Sequence, residues 1–87
     1  MNSILAILLT IFVANAMAME SGTVLFYNEN KGYGYIQPDS GEREVYVHAT
    51  ALERAGISSL NQGQRVRFDT QPDRRTGRIA VNNIQSE

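Results

Sequence analysis

Apolar and polar positions divide this chain into two parts that meet near Glu20. Residues 1–19 carry no charged side chain, and Ile4–Ala14 (ILAILLTIFVA) is an apolar run interrupted only by Thr10. From Glu20 onward the pattern changes to short stretches of strand length separated by turn-forming residues. Successive side chains of a strand point to opposite faces, so such alternation predicts a sheet with one face buried. Thr23–Asn28 (TVLFYN) is β-branched and aromatic and ends at Asn28-Glu29-Asn30. Tyr33–Gln37 is a second strand, closed by the turn residues Pro38-Asp39-Ser40-Gly41, and Glu44–His48 is a third. Ala49–Ala55 (ATALERA) has helix-forming composition but length for only a turn or two, and Gly56–Gln62 reads as loop. Gln64–Thr70 alternates cleanly, with Val66 and Phe68 against Arg65, Arg67 and Asp69. Pro72 ends that strand, Asp73–Gly77 forms a hairpin tip, and Arg78–Ile84 returns with its apolar spacing slipping by one near Asn82-Asn83, as at a bulge. Five short strands predict a small all-β barrel. Its expected core is Val24, Ile36, Val45, Val47, Leu52, Leu60, Val66, Phe68, Ile79, Val81 and Ile84.

Composition narrows what such a barrel can do. Eighty-seven residues allow one small domain,. There is no cysteine, hence no disulfide, thiolate nucleophile or cysteine metal site, and a single histidine, His48, argues against a metal cluster or a Ser/His/Asp triad,. Asp39, Glu42 and Glu44 sit near a turn with Arg43 between them and read as a solvated hairpin rather than an acid/base pair. No enzyme activity, cofactor or small-molecule substrate is expected. The net charge of −1 counts modestly against a nucleic-acid partner,. Yet all eight cations, Lys31 and seven arginines, lie between residues 31 and 78, which allows a basic stripe on one face. Guanidinium groups can both stack on a base and grip a phosphate with two bonds. The competing reading is that Arg65, Arg67, Arg74, Arg75 and Arg78 merely solvate the outside of a hairpin.

The chemistry concentrates in Lys31-Gly32-Tyr33-Gly34-Tyr35-Ile36 and Val45-Tyr46-Val47-His48. Tyr33 and Tyr35 share one strand face and Ile36 takes the other; Tyr46 and His48 share a face opposite Val45 and Val47. If the two strands pair, Tyr33, Tyr35, Tyr46 and His48 form one ring-rich surface over an aliphatic core. Exposed rings on a small sheet suit a platform on which unpaired bases stack. Gly32 and Gly34, lacking side chains, are expected to leave room there for a close-lying nucleic-acid strand, and Lys31 adds a cation at the edge. Aromatic cross-strand pairs also stabilise sheets without binding anything. A core this small supplies no more than ~3–5 kcal/mol of net stability, so holding three tyrosines outside it favours the binding reading. Gly-Tyr-Gly is not followed by a helix start or by Lys-Ser/Thr, which sets aside a nucleotide-phosphate loop.

These residues resemble a known family. Gly22-Thr23-Val24-x-Phe26-Tyr27-Asn28, Lys31-Gly32-Tyr33-Gly34-Tyr35-Ile36, Pro38-Asp39 and Val45-Tyr46-Val47-His48 are similar in order and spacing to the bacterial cold-shock domain. The likeness covers essentially all of residues 19–87, including Gly63-Gln64-x-Val66. It implies a five-stranded antiparallel OB-fold barrel that binds single-stranded RNA and DNA, acting as an RNA chaperone or transcription antiterminator. By the motif positions it implies that Lys31, Tyr33, Tyr35, Tyr46 and His48 lie on the binding face. Phe26 stands where the family usually has a base-stacking tryptophan, and Tyr27 and Asn28 lie beside it at positions also commonly in contact with the strand. Three residues depart from the pattern. Leu25 replaces a frequent lysine, Ala49 a frequent stacking phenylalanine, and Ile57 an aromatic of the long loop. At ~1–3 kcal/mol per stacked base, the loss of two rings weakens binding well over tenfold.

The segment before Glu20 is expected to lie outside this domain, giving an apolar leader at 1–18 and a folded unit at 19–87. Ala16-Met17-Ala18 is an A-x-A cleavage pattern, but no Lys or Arg precedes the apolar run. A membrane anchor needs ~20 apolar residues, and Asn2, Ser3, Thr10 and Asn15 make this a poor one. A third reading is translation from Met17 or Met19. That start predicts a cytoplasmic protein; cleavage after Ala18 predicts a periplasmic or secreted module whose aromatic face holds a carbohydrate or peptide. Membrane association is expected only if the segment is retained, and a barrel of this kind needs no partner subunit.

Overall fold

The computed structural model describes residues 19–87, so the readings of the leader at 1–18 fall outside the described residues. The elements are β1 (Glu20–Asn28), β2 (Tyr33–Pro38), β3 (Val45–His48), α1 (Ala49–Ala55), β4 (Arg65–Pro72) and β5 (Ile79–Ser86). The five strands close into a barrel in the order β1-β2-β3-β5-β4, an all-β OB-fold. Four seams are antiparallel, and the β3–β5 seam is parallel, with Tyr46 opposite Ala80. Among the described residues no helix is long and apolar enough to cross a membrane.

Closure depends on β1, which pairs with β2 on one side and β4 on the other and begins at Glu20, earlier than the alternation indicates. Gly22 serves both seams, opposite Pro38 and Val66. A Cβ there would lie 2.7 Å from the Gln37 carbonyl oxygen and 2.9 Å from Ile36 Cγ2, so the strands approach as they do because the side chain is missing.

Inside sit Val24, Ile36, Val45, Val47, Val66, Phe68, Val81 and Ile84, with Ala51, Leu52 and Leu60 covering them from α1 and the following loop. One expected core residue is corrected: Ile79 is 52% exposed. It occupies the first step of β5, opposite Pro72 at the hairpin end, where it lines an open groove rather than the barrel interior. Ala51 takes a place in the core that strand alternation had no means of assigning. The helix is short but well capped. His48 Nδ1 accepts the Thr50 backbone N–H at 3.2 Å, and Gly56, at φ 75°, ends it in the left-handed conformation that glycine adopts without strain,.

Two bulges interrupt the ladders. β5 advances three residues from Val81 to Ile84 while β4 advances two from Phe68 to Thr70, and the one extra residue falls at Asn82-Asn83 as the spacing indicates. Asp69 fixes it, accepting the Asn83 backbone N–H at 2.8 Å and its side-chain amide at 3.1 Å. In β1, Val24 lies opposite Ile36 but Phe26 lies opposite Tyr35, which leaves Leu25 as the extra residue. On the outer surface Arg65 of β4 forms two 2.7 Å bonds to the Asp39 carboxylate and one of 3.1 Å to Glu87, whose other oxygen accepts from Ser21. Arg65 holds the Asp39 carboxyl below the usual carboxylate range, and Ser21 and then Arg65 do the same for Glu87. This arginine is committed to the barrel's outer wall.

Candidate nucleic-acid interface

The β2–β3 register places Tyr33 opposite His48 and Tyr35 opposite Tyr46, so the four rings share one face as alternation predicts. Phe26 joins them because of the β1 bulge. By simple alternation Phe26 would follow Val24 into the core; the extra residue at Leu25 turns both Leu25 and Phe26 outward, 38% and 42% exposed,. Phe26 then meets Tyr33 and Tyr35, each at a ring-centroid distance of 5.8 Å. Tyr33 lies 6.0 Å from Tyr46 with planes only 21° apart, and Tyr46 lies 6.3 Å from His48. Five rings therefore form one continuous surface across three strands, half-buried at their bases and open above. His48 is held in place by the helix cap, since its Nδ1 is occupied by Thr50.

The turn between β1 and β2 positions Lys31 at the platform's edge. Asn28 builds that turn: its side-chain oxygen accepts the Lys31 N–H at 3.0 Å and its carbonyl accepts the Gly32 N–H at 2.8 Å. Gly32 has φ 74°, and its carbonyl accepts the Ala49 N–H, which ties the turn to the start of α1. Tyr27 is not brought to the ring surface. It packs against the core, and burial, then the charges of Glu29 and Glu53, push its phenol pKa up. Of the eight candidate residues, Phe26, Tyr33, Tyr35, Tyr46 and His48 share one surface, whereas Lys31 and Asn28 belong to the turn beside it and Tyr27 packs against the core.

The expected role of Gly34 is corrected. Gly34 is buried, and a Cβ there would collide with the Phe26 carbonyl oxygen and come within 2.9 Å of Tyr27 Cα. The space it leaves is filled by β1 itself, and Gly32 serves the turn. Gly34 therefore keeps no place open for a nucleic-acid strand.

One side chain at this surface did not stand out in the sequence. Arg78, just after the β4–β5 hairpin, donates from Nη1 to the Tyr35 hydroxyl at 3.3 Å and holds its guanidinium carbon 5.6 Å from the centre of the Tyr46 ring. Five arginines of this region look alike in sequence, and only the β3–β5 seam singles this one out. Two open grooves leave the platform at Tyr46. One, of about 850 Å³, is lined by Glu20, Glu42, Glu44, Arg43 and Arg78 among others. The second, of about 540 Å³, includes His48, Arg54, Asp73, Arg74 and Arg75. Ile57, where an aromatic was noted as missing, packs against the core.

Residues 20–86 match the family model described as the 'Cold-shock' DNA-binding domain. This chain belongs to the cold-shock domain family. It is 47% identical over 68 residues to the cold shock protein CspA of Rhizobium meliloti, a match covering 78% of this chain and 99% of that protein. It is 43% identical over 68 residues to the probable cold shock protein y4cH of Sinorhizobium fredii, with the same coverage of 78% and 99%. Against the cold shock-like protein CspC of Escherichia coli K12 the identity is 42% over 66 residues, 76% of this chain and 94% of the relative. Membership assigns the domain to nucleic-acid binding, in a family whose ligands are single-stranded nucleic acids.

Proposed function

We propose that this protein binds unpaired RNA and DNA by stacking successive bases on Phe26, Tyr33, Tyr35, Tyr46 and His48. The observation that carries this is the continuity of five rings on one open face. Lys31 attracts the backbone at one edge. Asn28 acts by shaping the turn that presents Lys31, and Tyr27 by supporting Phe26 and Gly34 from behind. Every base has a π-face, so stacking of this kind tolerates any sequence, and preference is slight. A protein that occupies unpaired bases shifts RNA hairpins toward open forms without ATP, which is the action of an RNA chaperone and, on a nascent transcript, of an antiterminator. The working unit is residues 19–87, acting as a monomer in the cytoplasm.

The test is a titration of the full chain with a dT heptamer, read by tyrosine fluorescence, which is unambiguous because the chain has four tyrosines and no tryptophan. Binding quenches the emission, weakens with salt, and is absent for a duplex of equal length. Tyr33→Ala and Tyr46→Ala each retain the far-UV spectrum of the parent and lose about five- to 150-fold in affinity, the equivalent of ~1–3 kcal/mol per stacked base. Affinities equal to the parent's in both variants would show that the rings are not the platform.

A further inference from the structure

We propose that Arg78 and the hydroxyl of Tyr35 together form a docking corner for one backbone phosphate of the bound strand, at the margin of the ring platform beside Tyr46. This rests on the platform reading above and adds a site that the cold-shock motifs do not contain.

Geometry and donor chemistry carry the assignment. Arg78 donates one N–H to the Tyr35 hydroxyl at 3.3 Å. A guanidinium has five N–H donors, so most of them stay available for an anion. The Tyr35 oxygen accepts that bond and keeps its own O–H to donate. The pair therefore presents guanidinium and hydroxyl donors side by side. A phosphodiester oxygen, an acceptor with negative charge, matches that set; a base edge, with mixed donors and acceptors, matches it poorly. At 5.6 Å from the Tyr46 ring centre the cation is held within cation–π reach but lies beyond a centred stack,. It is thus tethered beside the ring rather than packed flat upon it.

The charges around the corner limit what it does. Among the described residues, Arg54 bonds the Asn82 carbonyl at 2.8 Å and Arg65 is bound to Asp39 and Glu87. Arg75 lies 3.9 Å from Asp73. Arg78 differs in being tied to two platform rings. Beyond it the larger groove carries Glu20, Glu42 and Glu44 against Arg43 and Arg78. A polyanion is repelled along that wall, so the corner is the last phosphate contact on this side. The tyrosine hydroxyl thereby acquires a role that a phenylalanine at position 35 cannot fill.

The experiment measures affinity of the full chain for fluorescein-labelled dT heptamer by anisotropy, between about 20 and 200 mM salt, for the parent, Arg78→Gln, Arg78→Lys and Tyr35→Phe. Losing one phosphate contact to a single strand lowers the slope of log K against log salt by about 0.7. Arg78→Gln is expected to show that change and a loss of about three- to fivefold at low salt, the scale of one exposed ion pair. Arg78→Lys keeps the slope, and Tyr35→Phe loses about two- to threefold with its slope near the parent's. In the parent, a single methylphosphonate linkage, which is neutral, reproduces the Arg78→Gln loss at one position of the heptamer only. Unchanged or tighter binding by Arg78→Gln, or a loss with no change of slope, overturns the phosphate corner while the platform stands. Failure of the parent to bind the heptamer overturns both.

Discussion

Gly34→Ala adds one methyl group beneath β1. The new Cβ would lie 2.9 Å from both Cα and Cδ1 of Tyr27 and closer still to the Phe26 carbonyl oxygen. Two of these three neighbours are backbone atoms, so relief requires β1 to move off β2 rather than a side chain to rotate. Gly34 does not have a positive φ, and alanine by itself would favour folding by ~0.4–1 kcal/mol through the unfolded chain. Overpacking costs ~1–3 kcal/mol, and contact with backbone belongs at the upper end. The net is a destabilisation of about 2 kcal/mol. At ~4–8 °C per kcal/mol for a domain of this size, Tm falls by about 8–16 °C. Thermal unfolding of the full chain, followed by circular dichroism, measures it directly. Oligonucleotide binding weakens only in step with displacement of Phe26 from Tyr35. A variant within about 2 °C of the parent's Tm, yet weak in binding, would refute this account and return Gly34 to the ligand.

Two further perturbations test separate parts of the structure. Leu25→Lys places a cation on the exposed bulge residue beside Phe26; affinity for a dT heptamer is expected to rise about two- to fivefold at low salt, with the salt slope steeper by about 0.7. An unchanged slope means that the strand does not pass the β1 bulge. The Arg65 network makes stability depend on acid. The Asp39 and Glu87 carboxyls are held below their ordinary values in the folded state, so their contribution is present above the usual carboxylate pKa of about 4 and is lost as pH falls through the lower folded values,. Asp39→Asn therefore flattens the decline of Tm below about pH 4; a decline as steep as the parent's excludes Asp39 as a source.

Local pattern carried the elements and most of the core. Val66 and Phe68 against Arg65 and Arg67 define β4 because one face is wet and the other dry, and a period of two admits no other structure. The Asn82-Asn83 slip was legible for the same reason: Val81 and Ile84 cannot both point inward at a spacing of three unless one residue is extra. Ile79 failed because burial depends on what lies across the strand as well as on hydrophobicity, and at the first step of β5 that neighbour is Pro72 at an open end. Arg78 could not be separated from its four neighbours because its partners, Tyr35 and Tyr46, lie 43 and 32 residues earlier in the chain.

Local reasoning left the β1 bulge undetected and misread Gly34, and for one cause. Thr23–Asn28 shows no break in its apolar character, so nothing in that stretch marks Leu25 as extra; alternation sends Phe26 inward after Val24. The structure turns it outward and sets its carbonyl where a Cβ of residue 34 would stand. A bulge increases local twist and bends its strand. Here the bent strand lies against β2, and only a residue without a side chain accommodates it. Gly34 is thus the counterpart of an irregularity nine positions upstream. Its effect on the site is indirect but large, because the fifth ring reaches the platform only if β1 is both bulged and tightly seated. The Gly-Tyr-Gly motif therefore serves the surface from beneath: one glycine makes the turn, the other seats the bulge, and the tyrosine between them faces the solvent with Phe26 beside it.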